Sequence, residues 1–191
     1  MGKRVTKQNL HDQSEIRENL AYWLSRPPEE RIAAVETLRR QYLELSPDFK
    51  ELLRSFNSNR VEYLIVGGYA LAWLGAPRFT GDLDFYVKPS EENAERVLEA
   101  LKEFGFAESG LKQEDFVEPG RILRLGVPPA RVDILTSIDG VTWKEAWAGR
   151  ESGRYGDTPA SYIGKSQFIA NKRAMGRHKD LADIEALQTQ G

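Results

Sequence analysis

The chain has no cysteine in 191 residues. That excludes disulfides and thiolate metal centres. Histidine is limited to His11 and His178, too few for a histidine-rich zinc site. Neither sign of charge dominates: 27 Lys and Arg against 29 Asp and Glu leave a net charge of -2. Nothing therefore draws the whole molecule to nucleic acid or membrane, and any such contact must rest on a local patch. No apolar run approaches membrane-spanning length. The opening Met1-Gly-Lys-Arg-Val-Thr has charge but no apolar stretch behind it, so it does not read as a signal peptide. Its loose match to an N-myristoylation pattern is read as chance. The expected compartment is the cytoplasm, with no membrane partner.

What is present fits an ordinary globular protein, with 40% hydrophobic and 29% charged residues. The length suits one compact domain or a domain with an appendage. Residues 1 to about 14 are polar and read as a frayed end. Ile16, Leu20, Trp23 and Leu24 have weakly helical spacing. Ser25-Arg-Pro-Pro-Glu-Glu starts a clearer helix, carried by Ile32, Val35, Leu38, Tyr42 and Leu45. Ser46-Pro47-Asp48 opens another, with Phe49, Leu52, Leu53 and Phe56 on one face. The expected division is a helical N-terminal extension over 1–46 and a main domain over 47–191.

Strands are expected over Val61–Val66, Leu83–Val87, Arg121–Val127, Val132–Leu135 and near Ala160–Ile163. Helices are expected over Tyr69–Leu74, from Ser90 to Phe104, around Thr142–Ala148, over Lys165–Ala174 and beyond Gly176, the last with Leu181, Ile184 and Leu187 as its apolar face. The stretch from Phe106 to Gly120 has no clear period. Strands alternate with helices, yet two strands meet across Pro128-Pro129. The fold class is therefore α/β (α+β), a mixed sheet flanked by helices.

The organising stretch runs from Val66 to Val87. Gly67-Gly68 follows an apolar strand, and Asp82-Leu83-Asp84-Phe85 closes the segment. Strand side chains alternate, so Asp82 and Asp84 share one face while Leu83 and Phe85 take the other. Two carboxylates on one face are costly to bury without a cation. Asp133, in Arg131-Val-Asp-Ile-Leu, completes a cluster if its strand lies beside theirs. Oxygen-only ligands select a hard cation, Mg²⁺ or Mn²⁺. Glycine amides nearby suit phosphates.

Val66, Gly67, Gly68, then Asp82-Leu83-Asp84-Phe85 and a later Asp133 resemble the nucleotidyltransferase superfamily with the DNA polymerase beta-like fold. The spacer from Tyr69 to Gly81 is at the long end for that pattern. With Arg78-Phe-Thr80 before the aspartates, the segment is most similar to abortive-infection AbiE-type toxin transferases and related minimal bacterial nucleotidyltransferases. Asn171-Lys-Arg-Ala-Met-Gly-Arg-His-Lys-Asp-Leu-Ala-Asp183 resembles the helices that close the nucleotide site in those enzymes. The resemblance covers roughly Phe49 to Leu187.

It implies transfer of NMP from an NTP to an acceptor hydroxyl, with release of pyrophosphate. Asp82, Asp84 and Asp133 would be catalytic and metal-binding. Gly67, Gly68, Arg78, Thr80, Lys172, Lys179 and Asp180 would bind nucleotide. Ordinary readings stand beside these: an ion pair between Lys179 and Asp183 four residues apart, and Asp180 as an anchor for Lys172 or Arg177. Trp73, Trp143 and Trp147 read as packing. The implied acceptor is RNA, a tRNA 3′ end in a toxin–antitoxin pair. The alternatives are a partner protein, as in adenylylating antitoxins, or a small molecule of the aminoglycoside kind. A cognate toxin or antitoxin is a candidate partner, and the N-terminal helices offer a route to an oligomer.

Overall fold

The computed structural model describes residues 5–9, 46–74, 76, 80–107, 109–126, 131–155 and 157–188. The helices expected between residues 15 and 45 lie outside that set, as does Arg78. The described strands form a seven-stranded mixed sheet in the order β1-β4-β5-β3-β2-β7-β6. These strands are β1 (Val5–Asn9), β2 (Tyr63–Val66), β3 (Asp82–Val87), β4 (Arg121–Leu125), β5 (Arg131–Leu135), β6 (Glu151–Tyr155) and β7 (Thr158–Tyr162). β3 runs parallel to β5, and β2 parallel to β7; the other neighbours are antiparallel.

The helices are α1 (Ser46–Ser58), α2 (Gly67–Trp73), α3 (Glu91–Leu101), α4 (Glu114–Val117), α5 (Trp143–Ala148), α6 (Lys165–Met175) and α7 (His178–Gln188). α1 buries Phe49, Leu52, Leu53 and Phe56, the full apolar stripe that its spacing gives. Phe56 packs on Tyr63 and Phe85, with ring centroids 5.5 and 5.1 Å apart. α3 is capped by Ser90, which accepts from the Asn93 amide. Thr142 and Glu145 form a reciprocal capping box at the start of α5.

Three expectations need correction. Residues 5–9 are not a frayed end. They form an edge strand antiparallel to β4, with Thr6 opposite Arg124. Polar composition hid it, because backbone pairing rather than apolar alternation defines that strand. β6 falls in a stretch where no strand is expected. Gly153 is needed there, since a Cβ would lie 2.4 Å from the Trp73 ring. Trp73 in turn stacks on Tyr162 at 4.6 Å and donates its indole N–H to Glu151. Finally, Leu181 is 52% exposed, while α7 buries Asp180, Asp183, Ile184 and Leu187. That is a regular helical stripe whose first half is acidic, so hydrophobic periodicity found Ile184 and Leu187 but put Leu181 in place of the two aspartates.

α4 occupies part of the stretch that showed no period. Among the described residues, no helix is long and apolar enough to cross a membrane.

Phe85 is fully buried on the face of β3 opposite the aspartates. Phe85→Ala should therefore lower unfolding free energy by about 3–5 kcal/mol in a urea titration.

Candidate active site

β3 and β5 pair in parallel with Asp84 opposite Asp133 and Asp82 opposite Arg131. Parallel neighbours keep the same side of the pleat together. Asp82, Asp84 and Asp133 consequently form one cluster, each offering an oxygen within 4.8 Å of the others. β4 adds Arg124 directly across from Asp133.

The cluster is charge-compensated by two arginines that sequence reading left out. Arg131 sets Nη2 2.6 Å from Asp82 Oδ2 and Nε 3.0 Å from Asp133 Oδ1. Arg124 Nε lies 3.6 Å from Asp133 Oδ2. The signal for Arg131 was present: two residues before Asp133 on a strand is the same face. Arg124 needed the β4–β5 register.

Burial nonetheless dominates. Desolvation, then the charges of Asp82 and Asp133, push the Asp84 carboxyl well above the usual range, against the opposing pull of Arg131 and Lys172. Asp133 is raised to about 6, mainly by burial, with Arg131 and Arg124 working against the rise and Asp82 adding to it. Two guanidinium groups thus leave the carboxylates short of positive charge. An all-oxygen donor set with that deficit fits a hard divalent cation.

The glycines are fixed by this cluster. Gly67 has φ +64°, and a Cβ there would lie 1.9 Å from Asp84 Oδ2. Gly68 faces Thr80, whose Oγ1 donates to Asp82 Oδ1 at 2.7 Å. Both residues open α2, where first-turn N–H groups lack helical acceptors.

Lys172 is buried on α6, with Nζ 2.7 Å from Asp180 Oδ1 and 3.0 Å from Asp183 Oδ2. Arg177 Nε meets the other Asp180 oxygen at 2.6 Å. Burial works to raise the Asp180 carboxyl, but hydrogen bonds from Arg177 and Lys172 outweigh it and hold it below the usual range. Asp180 is thus the anchor for Lys172 and Arg177, the ordinary reading of that residue. Asp183 lies on Lys172, and Lys179 is exposed on α7. The structure therefore unites Gly67, Gly68, Thr80, Asp82, Asp84 and Asp133. It brings the Lys172 charge within reach of Asp84 and leaves Lys179 on the solvent side.

Comparison with solved structures places this arrangement on a known fold. A protein of Thermotoga maritima assigned as a nucleotidyltransferase (TM1012) superposes with a TM-score of 0.53 at 14% identity, covering 80% of this chain and 96% of that one. The lincosamide antibiotic adenylyltransferase LnuA, bound to lincomycin, gives a TM-score of 0.50 at 14% identity, covering 76% and 97%. The chain has a nucleotidyltransferase-type fold. At such identities the likeness is one of fold and does not extend to the AbiE-type subgroup. Neither a family model nor a curated protein matches the sequence.

Two outcomes follow from the electrostatics. In the metal-free protein, Asp84 and Asp133 bind protons more tightly than the unfolded chain does. For both groups the contribution to stability is full at low pH and is lost as the pH rises through the folded-state value, about 6 for Asp133. The gain in melting temperature from Asp84→Asn should accordingly grow as the pH rises above about 4, where the unfolded carboxyl ionises, read by thermal melts in chelator. Gly67→Ala should cost about 1–2 kcal/mol for its left-handed backbone alone, and more as Asp84 is displaced, measured by chemical denaturation.

Proposed function

We propose that this protein is a metal-dependent nucleotidyltransferase. It would move NMP from an NTP to an acceptor hydroxyl and release pyrophosphate. The observation that carries the reading is the Asp82–Asp84–Asp133 cluster, set against the Gly67-Gly68 turn on a nucleotidyltransferase-type fold.

Asp82, Asp84 and Asp133 would hold Mg²⁺ or Mn²⁺. When bound, such ions supply charge neutralisation at the transferring phosphoryl group and its leaving pyrophosphate. The protein's own contribution is positioning. The Gly67 and Gly68 amides, at the opening of α2, would donate to the phosphates. Asp133 accepts the proton of the acceptor hydroxyl as that oxygen bonds to the α-phosphorus and the bond to the β-phosphate oxygen breaks. Lys172 adds positive potential toward the triphosphate while staying locked to Asp180 and Asp183.

For the acceptor we favour RNA, with a tRNA 3′ end in a toxin–antitoxin setting as the specific form. Arg173 on α6 and His178 and Lys179 on α7 are exposed on the helix pair that holds Lys172 in place, a local basic surface in a chain of slightly acidic total. A small-molecule acceptor is the second reading, favoured by the fold shared with a lincosamide adenylyltransferase. ATP as donor and cytoplasmic action belong to the same proposal.

Incubation with each labelled NTP, Mg²⁺, total RNA and a panel of antibiotics tests it. Label on RNA is the expected outcome. Label on an antibiotic alone would replace the acceptor and keep the reaction, whereas no label with any pair would end the transferase reading. Asp82→Ala and Asp84→Ala should each reduce transfer to background while the circular dichroism spectrum stays native.

A further inference from the structure

Thr80 stands between the two halves of the site. Its Oγ1 donates to Asp82 Oδ1 at 2.7 Å and lies 3.3 Å from the Asp82 carbonyl oxygen. Arg131 takes the other carboxylate oxygen, Oδ2, at 2.6 Å. Both Asp82 oxygens are thereby held, one by a neutral donor two residues away and one by a cation from β5. Each carboxylate oxygen still has a further acceptor direction for a metal. On its other side, Thr80 fills the space above Gly68. A Cβ added to Gly68 would come 2.7 Å from Thr80 Cβ, 2.8 Å from Cγ2 and 2.9 Å from Oγ1. Gly68 has no positive φ, so its backbone does not require glycine. In a helical position alanine would even be preferred. What requires glycine at 68 is Thr80.

We infer that Thr80 is a positioning residue for the metal ligand Asp82, and that Gly68 acts on the metal site through Thr80. This rests on the reading of Asp82, Asp84 and Asp133 as a metal site. For Thr80 it differs from the direct nucleotide binding that resemblance implies; for Gly68 it adds a second role to that of its amide. The hydroxyl fixes the plane of the Asp82 carboxylate. The small residue at 68 lets the hydroxyl stay there. Nucleotide turn and metal ligand are thus built as one unit, since nothing larger than glycine can enter the turn without moving Thr80 off Asp82.

Valine and serine separate the two halves of the threonine side chain. Thr80→Val keeps the shape against Gly68 and removes the donor. Thr80→Ser keeps the donor and removes the methyl. Mn²⁺ binding to the full chain, measured by the electron paramagnetic resonance of free Mn²⁺, should weaken about ten- to a hundred-fold in Thr80→Val. Thr80→Ser should restore it to near the wild-type value. Gly68→Ala should weaken binding in the same way. The double variant Gly68→Ala/Thr80→Val should bind no more weakly than Thr80→Val, because both changes break one hydrogen bond. Nucleotide binding in chelator should be the same in Thr80→Val and wild type.

Wild-type Mn²⁺ affinity in Thr80→Val, or failure of Thr80→Ser to restore it, would overturn the inference. So would full additivity of the two substitutions, or a loss of metal-free nucleotide binding in Thr80→Val. If Thr80→Val does not fold, the comparison of Gly68→Ala with Thr80→Ser decides: weakened binding in the first and near-wild-type binding in the second support the role, and any other pattern removes it. No Mn²⁺ binding by the wild type, with or without nucleotide, would remove the metal reading and this inference with it.

Discussion

Three carboxylates on one partly buried face of a sheet repel one another, and most of the local structure around them answers that repulsion. The parallel β3–β5 register makes Asp84 and Asp133 neighbours whether or not their charges suit it. Burial then amplifies the cost, because the charged form loses its water. Arg131 meets it by bridging Asp82 and Asp133, and Arg124 by lying across from Asp133. Arg131 is one of the few cations that suits this place: its planar fork reaches two carboxylates at once, which a lysine ammonium on a flexible stem does less well. The compensation is partial, as the raised Asp84 and Asp133 carboxyls show. That shortfall is the physical basis for a cation site.

A second polar core lies between α6 and α7. Asn171 and Lys172 take places on the buried stripe of α6 beside Phe168, and Asp180 and Asp183 take places on that of α7 beside Ile184 and Leu187. A buried lysine alone would be costly, and so would either aspartate. Together with Arg177 they neutralise one another, each held by a hydrogen bond or ion pair of 3.0 Å or less. The network fixes where the Lys172 charge sits, close enough to act on Asp84. Asn171 ties the same helix to the loop after β5 by donating to the Asp139 carbonyl at 2.9 Å. The lysine is therefore a fixed source of potential rather than a swinging arm.

Much of this was legible in the sequence, and the exceptions share a cause. The Gly-Gly turn, the three aspartates and the mixed sheet follow from local pattern: period-two alternation at 82–85, apolar strands and breaker residues. The stripe Phe49, Leu52, Leu53, Phe56 is purely apolar and was read correctly. The stripe Asp180, Asp183, Ile184, Leu187 obeys the same period, yet half of it is charged, so an apolar template keeps Ile184 and Leu187, skips the aspartates and adds the exposed Leu181. β1 and β6 are edge strands whose residues do not alternate in polarity; their pairing is a property of the neighbour. Arg124 depends on register between strands, which no spacing within one strand reveals. Sequence pattern thus reports what the core attracts. It does not report which charged groups are buried because other charged groups need them.

β3 shows how the costs of the site are kept from the stability of the fold. Leu83, Phe85 and Val87 point to one side and are fully buried, with Phe85 locked among Phe56 and Tyr63. Asp82 and Asp84 point to the other. Because the period is two, the strand cannot slip by one residue without exchanging its whole apolar set for its carboxylates. The aromatic cluster on one face therefore fixes the register that assembles the carboxylates on the other. Tyr86 continues the aspartate face and is buried against Trp143 with ring centroids 5.0 Å apart, so apolar packing resumes two residues beyond Asp84. The repulsion is confined to the first three residues of β3, and the remainder of the strand, well packed on both sides, holds them in place.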